Sequence, residues 1–243
     1  MTTRLAIDVL RSARRRREHY VGSWLPEPLL ASDDDDPARR IELDESVSMA
    51  MLTLLEELTP EQRAVFVLRE AFDYEYADIA AVLERIEASC RQLLRRAHQR
   101  LQDHQARFEA SAEQRRRLSE TFLDAIRSGD LAALEAVLVQ DVELVGDGGG
   151  KAPALSAPIR GRLQVARFLL GLARLAERHG MVLDPVTVNG QPGAVMRAEG
   201  GDLLGVLSLD IAAGGVLGVH NQINPEKLRH LGPVGDLAGL LSG

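Results

Sequence analysis

Asp141, Asp147, Asp210 and His220 are the residues of the C-terminal half whose types suit proton transfer. A carboxylate or imidazole base of that kind needs an apolar pocket and a donor for the developing oxyanion. Residues 112–243 contain no Tyr or Trp, and their only phenylalanines are Phe122 and Phe168, which argues against an aromatic-lined site for a flat polycyclic substrate. His220 falls on an alternating stretch and reads first as an edge or satisfied polar residue. Lys151 follows three glycines, yet a phosphate-cradling loop needs GxxxxGK and then Ser or Thr at a helix start, whereas Ala152-Pro153 follows here. Gly148-Gly149-Gly150 therefore reads as a tight hairpin turn.

A second chemistry lies between residues 84 and 100, where Arg85, Arg91, Arg95, Arg96 and Arg100 outnumber Glu84 and Glu87. Ser89, Arg91 and Gln92 stand near the start of a predicted helix over 87–105, where a recognition helix offers side chains to base edges in the major groove. Arg95 and Arg96, one turn later, suit phosphates. On its own an Arg-rich helix is a solvated surface. The short helix predicted over 75–83 and the tight turn after it complete a helix-turn-helix, which favours DNA.

The positioning elements follow from spacing. Thr59-Pro60-Glu61-Gln62 combines an N-cap, a first-turn proline and a reciprocal Gln, and opens a helix with Val65, Phe66 and Leu68 inward. Met49, Leu52, Leu54 and Leu55 mark a helix before it. Leu93, Leu94, Ala97 and Leu101 form the inner face of the last helix of the block. Beyond Ser111, paired helices break at Ser128-Gly129-Asp130, and a further helix is predicted over 163–178. Alternating runs at 142–145, 182–188, 194–198, 203–211 and 216–223, with turns at Asn189-Gly190 and Gly200-Gly201-Asp202, predict an antiparallel meander. The fold class is multidomain: an all-α helix-turn-helix block and an α+β half-barrel.

At the N-terminus, residues 1–19 hold six Arg against Asp8 and Glu18, with Leu5, Val9 and Ala13 at helical spacing. Residues 25–46 hold three prolines and Asp33-Asp34-Asp35-Asp36, and read as an acidic linker. The chain of 243 residues has a net charge of −7, so any nucleic-acid site must be a local basic patch. A single cysteine, Cys90, excludes an internal disulfide framework and Cys-based zinc sites. No apolar run is long enough for a membrane span, and the N-terminus lacks the apolar core of a signal peptide. These features predict a cytoplasmic protein without a cofactor or metal. The preference for Arg over Lys, with much Ala and Gly, hints at a GC-rich bacterial genome.

The stretch LTPEQRAVFVLREAFDYEYADIAAVLERIEASCRQLLRRAHQRL resembles region 4 of extracytoplasmic-function sigma factors, which holds the −35 promoter element and the flap of RNA polymerase. WLPEP (Trp24 to Pro28), DGGGK (Asp147 to Lys151) and NPEKL (Asn224 to Leu228) are similar to motifs of the subgroup with a fused SnoaL-like (ketosteroid-isomerase-like) C-terminal domain. The resemblance implies five parts: the end of sigma region 2 over 1–24, an inter-region linker over 25–46, region 4 over 47–108, a SnoaL-like domain over 112–229 and a tail over 230–243. It implies that LRSARRRRE ends region 2, most of which is missing before Met1, and that the 243-residue chain alone binds promoter DNA weakly without specific initiation. Promoter DNA and core RNA polymerase are the implied partners, with no membrane. Ser89, Arg91, Gln92, Arg95 and Arg96 are the implied DNA contacts. Trp24, Pro26, Asp147, Gly148, Gly149, Gly150, Lys151, Asn224, Pro225 and Lys227 form an implied regulatory interface between the SnoaL-like domain and the sigma regions.

Two departures stand in the turn of the helix-turn-helix. Glu84 occupies a position where the family has Gly, and Ile86 one where it has a capping Ser, each change costing about 1 kcal/mol. The reading is a non-enzymatic transcription initiation protein whose C-terminal domain regulates it. Two alternatives stay open: a SnoaL-like isomerase or cyclase, or a ligand-sensing domain, fused to a DNA-binding domain.

Overall fold

Thr59 begins the helical block as its sequence requires. Its hydroxyl accepts from the Gln62 amide at 3.2 Å while its own amide donates to Gln62 Oε1 at 3.0 Å, closing a capping box on helix α1 (Pro60–Phe66). The computed structural model describes residues 20–31, 52, 55, 58–105 and 110–242. These form two compact units, one holding 58–105 and the other holding 20–31 with 110–242. The basic stretch 1–19 and the acidic run Asp33–Asp36 lie outside the described residues, as does most of the helix expected around Met49–Leu55.

In the first unit, α1 runs into a π-turn at Val67–Ala71, followed by α2 (Tyr76–Leu83) and α3 (Glu87–Gln105). Val65, Ile79, Ala80, Cys90 and Leu94 form one buried cluster, and Leu58, Ala97 and Leu101 another. Cys90 is wholly buried, and burial raises its thiol pKa, so it serves as a small core residue.

In the second unit, Ser111 and Gln114 close another capping box on α4 (Ala112–Ser128). Gly129, at φ 70°, ends that helix, and Asp130 caps α5 (Leu131–Val137). The remaining elements are β1 (Leu30–Ala31), β2 (Leu138–Asp147), β3 (Ile159–Arg160), α6 (Arg162–Arg178), β4 (Val182–Val188), β5 (Gln191–Arg197), β6 (Leu203–Ala212), β7 (Gly215–Gln222), α7 (Pro225–Leu228) and α8 (Leu237–Ser242). They build one sheet in the order β1-β4-β5-β6-β7-β2-β3. Phe122, Leu134, Val165 and Leu169 from α4, α5 and α6 pack with Leu144, Leu209 and Val219 on one sheet face. This is the α+β arrangement that a SnoaL-like domain implies.

Three details differ from the sequence expectation. β4 to β7 form the expected antiparallel meander, but β2 joins β7 in parallel. Residues 25–31 of the expected linker lie on this unit: β1 pairs antiparallel with β4, Leu30 opposite Val188, and Leu25, Pro26 and Pro28 are buried. The expected tail also packs, with Leu203 N donating to Pro233 O at 2.9 Å and Leu237 buried. Among the described residues, no helix is long and apolar enough to cross a membrane.

Candidate functional site: a recognition helix and a buried carboxylate hub

The turn between α2 and α3 sets the first site. Glu84 takes the left-handed conformation, φ 53° and ψ 45°, and its amide donates to Ala80 O and Ala81 O. Glycine adopts that conformation without strain and glutamate does not, so the departure seen in the sequence falls on the one residue that needs the freedom. Ile86 then accepts at its carbonyl from Ser89 N at 3.0 Å and Cys90 N at 3.3 Å, the role of an N-cap residue without a capping side chain.

With Cys90, Leu94, Ala97 and Leu101 buried, α3 turns Arg91, Gln92, Arg95 and Arg96 to solvent, while Ser89 is half-buried. Gln92, Arg95, Arg96 and Gln99 recur at helical spacing along one exposed stripe. Among the described residues, Arg95 and Arg96 make no ion pair. Arg91 is already engaged: its guanidinium donates to Glu87 at 2.7 Å and lies 4.8 Å from the centroid of the Tyr76 ring. Tyr76 was not singled out by sequence, although it stands at the first position of α2, where a side chain can reach the start of α3.

The second site is built on Asp147, the last residue of β2, which is completely buried. Five donors converge on its carboxylate. Tyr20 OH and Gly149 N reach Oδ1 at 2.6 and 3.0 Å; Leu25 N, Lys227 Nζ and Gln222 Nε2 reach Oδ2 at 2.8, 2.7 and 3.3 Å. That set exhausts the lone-pair sites of a carboxylate. Lys227 also donates to Leu25 O at 2.5 Å, and its ammonium sits 4.1 Å from the Trp24 ring centroid and 4.8 Å from that of Tyr20. The buried charge pair is thus roofed by two aromatic faces, an arrangement that favours a desolvated cation. Burial together with the neighbouring Asp147 charge holds the Tyr20 hydroxyl well above the usual tyrosine range.

Neighbouring groups lock the same segment down. Gln222 Nε2 donates to Leu25 O and Pro26 O at 3.3 and 3.2 Å, and Asn224 Nδ2 donates to Tyr20 OH at 2.7 Å. Asn224 also caps α7, where Pro225 fills the first turn. Gly148-Gly149-Gly150 turns as expected, with Lys151 N on Gly148 O at 2.9 Å, but it opens a longer loop that reaches β3 only at Ile159. A Cβ on Gly149, at φ 59°, would stand 2.2 Å from Asn224 Nδ2 and 2.9 Å from Tyr20 OH, so only glycine fits. The structure therefore brings Trp24, Pro26, Asp147, Gly149, Asn224 and Lys227 together. Lys151 is not part of the hub; it is half-exposed and pairs with Glu226, whose carboxyl it holds below the ordinary range. Tyr20 and Gln222, both central, were missed by sequence; each adjoins a recognised motif.

The candidate bases behave differently from one another. Asp210 and His220 form a buried pair on β6 and β7, Nε2 to Oδ2 2.5 Å apart, beside the cross-strand neighbour Ser208. Burial works against a charged His220, yet the Asp210 carboxylate prevails and raises its pKa. A cavity of about 110 Å³ lies between α6 and the sheet face on which that helix packs, and none of Asp141, Asp147, Asp210 and His220 lines it.

Residues 48–101 match the family model described as Sigma-70, region 4. The ECF RNA polymerase sigma factor SigJ of Mycobacterium tuberculosis is 36% identical over 200 residues, covering 80% of this chain and 63% of SigJ. The probable ECF RNA polymerase sigma factor SigI of the same organism is 34% identical over 239 residues, covering 94% of this chain and 76% of SigI. The chain belongs to the ECF RNA polymerase sigma factors. The crystal structure of Mycobacterium tuberculosis SigJ, another ECF sigma factor, superposes with a TM-score of 0.70 at 30% identity, over 93% of this chain and 82% of that one. Within this sigma factor, region 4 is matched in the unit that carries α1 to α3, and the hub belongs to the other unit, which takes chain from both sides of it.

Proposed function

We propose that this sigma factor initiates transcription in the bacterial cytoplasm by presenting region 4 to the −35 element and to core RNA polymerase. The observation that carries the reading is the exposed stripe of Gln92, Arg95 and Arg96 on the second helix of a packed helix-turn-helix. Gln92, with Ser89 and Arg91 beside it, meets base edges; Arg95 and Arg96 meet phosphates. The experiment is selection of duplexes from a random pool by the full chain with core polymerase. A reproducible motif, lost in Gln92→Ala with Arg96→Ala, supports the assignment. Polymerase that fails to retain the chain, with no motif recovered, would exclude it.

The second unit acts in this reading as a regulator without turnover. Its support is the hub, in which a buried charge pair holds Trp24 to Pro28 against the sheet while the candidate bases stand away from the cavity. Holding or releasing that segment sets how the adjoining sigma regions engage polymerase. Lys227→Met in a folded chain should alter polymerase-dependent promoter binding, and unaltered binding would remove the hub from the mechanism.

A further inference from the structure

The cavity between α6 and the sheet is walled by aliphatic carbons, with Met181 and Met196 among them and Leu237 and Leu241 of α8 along one side. Asn221 is the one side chain with an amide in that lining, and among the described residues it makes no side-chain hydrogen bond. An apolar cavity of roughly 150 Å³ accepts a benzene-sized guest. This one is about 110 Å³, and thioether side chains are flexible enough to yield to a guest.

Strand alternation ties the cavity to the hub. Side chains of successive residues on a strand point to opposite faces. Asn221 lines the cavity from β7, and Ile223 lines it just past the strand's end. Between them, Gln222 faces the other way and holds Leu25 O, Pro26 O and Asp147. Ile223 N donates to Asp147 O at 2.9 Å, and Asn224 holds Tyr20. A guest that shifts Asn221 and Ile223 moves a backbone whose intervening side chain grips the Trp24–Pro28 segment.

We propose that the cavity binds a compact, largely apolar molecule bearing one hydrogen-bonding group, which Asn221 recognises, and that occupancy is transmitted through residues 221–224 to the docked segment. This rests on the regulatory reading of the hub and names its effector class. No catalytic group is required, since the ligand acts by being bound.

Phenol and benzene serve as probes on the full chain, and Trp24, the only tryptophan, reports the hub when excited at the red edge of indole absorption. Both should bind saturably with a change in Trp24 emission, phenol roughly fivefold tighter, the worth of one neutral hydrogen bond. Asn221→Ala should keep benzene and remove the preference for phenol. Ala173→Leu, which adds bulk to the cavity wall from α6, should weaken both probes at least tenfold; should it fail to fold, Asn221→Ala alone decides. No saturable binding, binding with unchanged Trp24 emission, or a phenol preference that survives Asn221→Ala would each overturn the proposal. If Lys227→Met alters promoter binding while neither probe binds, the regulatory reading stands and this inference alone falls.

Discussion

The ammonium of Lys227 lies 2.7 Å from a carboxylate, that of Asp147, with no exposed surface. An ion pair this deep is held less by its own attraction than by what removal of one partner leaves behind.

Lys227→Met should therefore destabilise the second unit by about 3–5 kcal/mol, because Asp147 keeps a buried charge without its counter-ion. Adding Asp147→Asn should recover part of that loss. Chemical denaturation followed by Trp24 fluorescence and circular dichroism measures both. Equal stability of the single and double variants would show that the charge pair is not what anchors the segment.

The turn of region 4 should be improvable. Glu84→Gly relieves a left-handed non-glycine residue, and Ile86→Ser supplies the missing cap; each should stabilise the first unit by about 1 kcal/mol. Thermal unfolding of the full chain, with the region 4 transition resolved by hydrogen exchange, is the measurement.

The DNA contacts proposed for α3 should separate by role. Arg96→Ala should weaken all duplexes alike and reduce the salt slope by about one phosphate contact. Glu87→Gln should tighten binding, since it frees the Arg91 guanidinium from the 2.7 Å bond it now makes. Fluorescence anisotropy across a salt series distinguishes the two effects, and weaker binding by Glu87→Gln would mean that Arg91 works only when held.

His220 gives the second unit a pH dependence with a defined sign. Its folded pKa is raised by Asp210, with a smaller contribution from Glu143, which itself pairs with Arg160. The stabilisation is full below the ordinary histidine pKa and is lost as pH climbs through the raised value. Urea midpoints should fall over that interval in the native chain and stay flat in His220→Gln.

Much of this was legible in local sequence. The Thr59–Gln62 box, the spacing of Leu94, Ala97 and Leu101, and the Asn189-Gly190 turn each carry their own geometry, so α1, α3 and the β4–β5 hairpin appear where expected. Pairing between distant elements left no such trace. The parallel match of β2 with β7 depends on residues 75 to 78 positions apart, and the prolines of WLPEP suggested a linker when they stiffen a segment that docks. Asp147 and Lys151, members of one implied interface, enter two separate ion pairs, because the glycine turn sends Lys151 outward while Asp147 stays at the buried end of its strand. Tyr20 and Gln222 were illegible for the same reason: their value arises only when three stretches of chain meet.

The separation of those stretches also sets a schedule. Gln222 grips Leu25 across 197 positions, with all of region 4 made in between. At roughly 5–20 residues per second, a ribosome needs about 10–40 s to travel from one to the other. A nascent chain thus emerges with its region 4 helices complete and the Trp24–Pro28 segment still undocked. The hub is a late checkpoint of synthesis, closed only once β7 has left the exit tunnel.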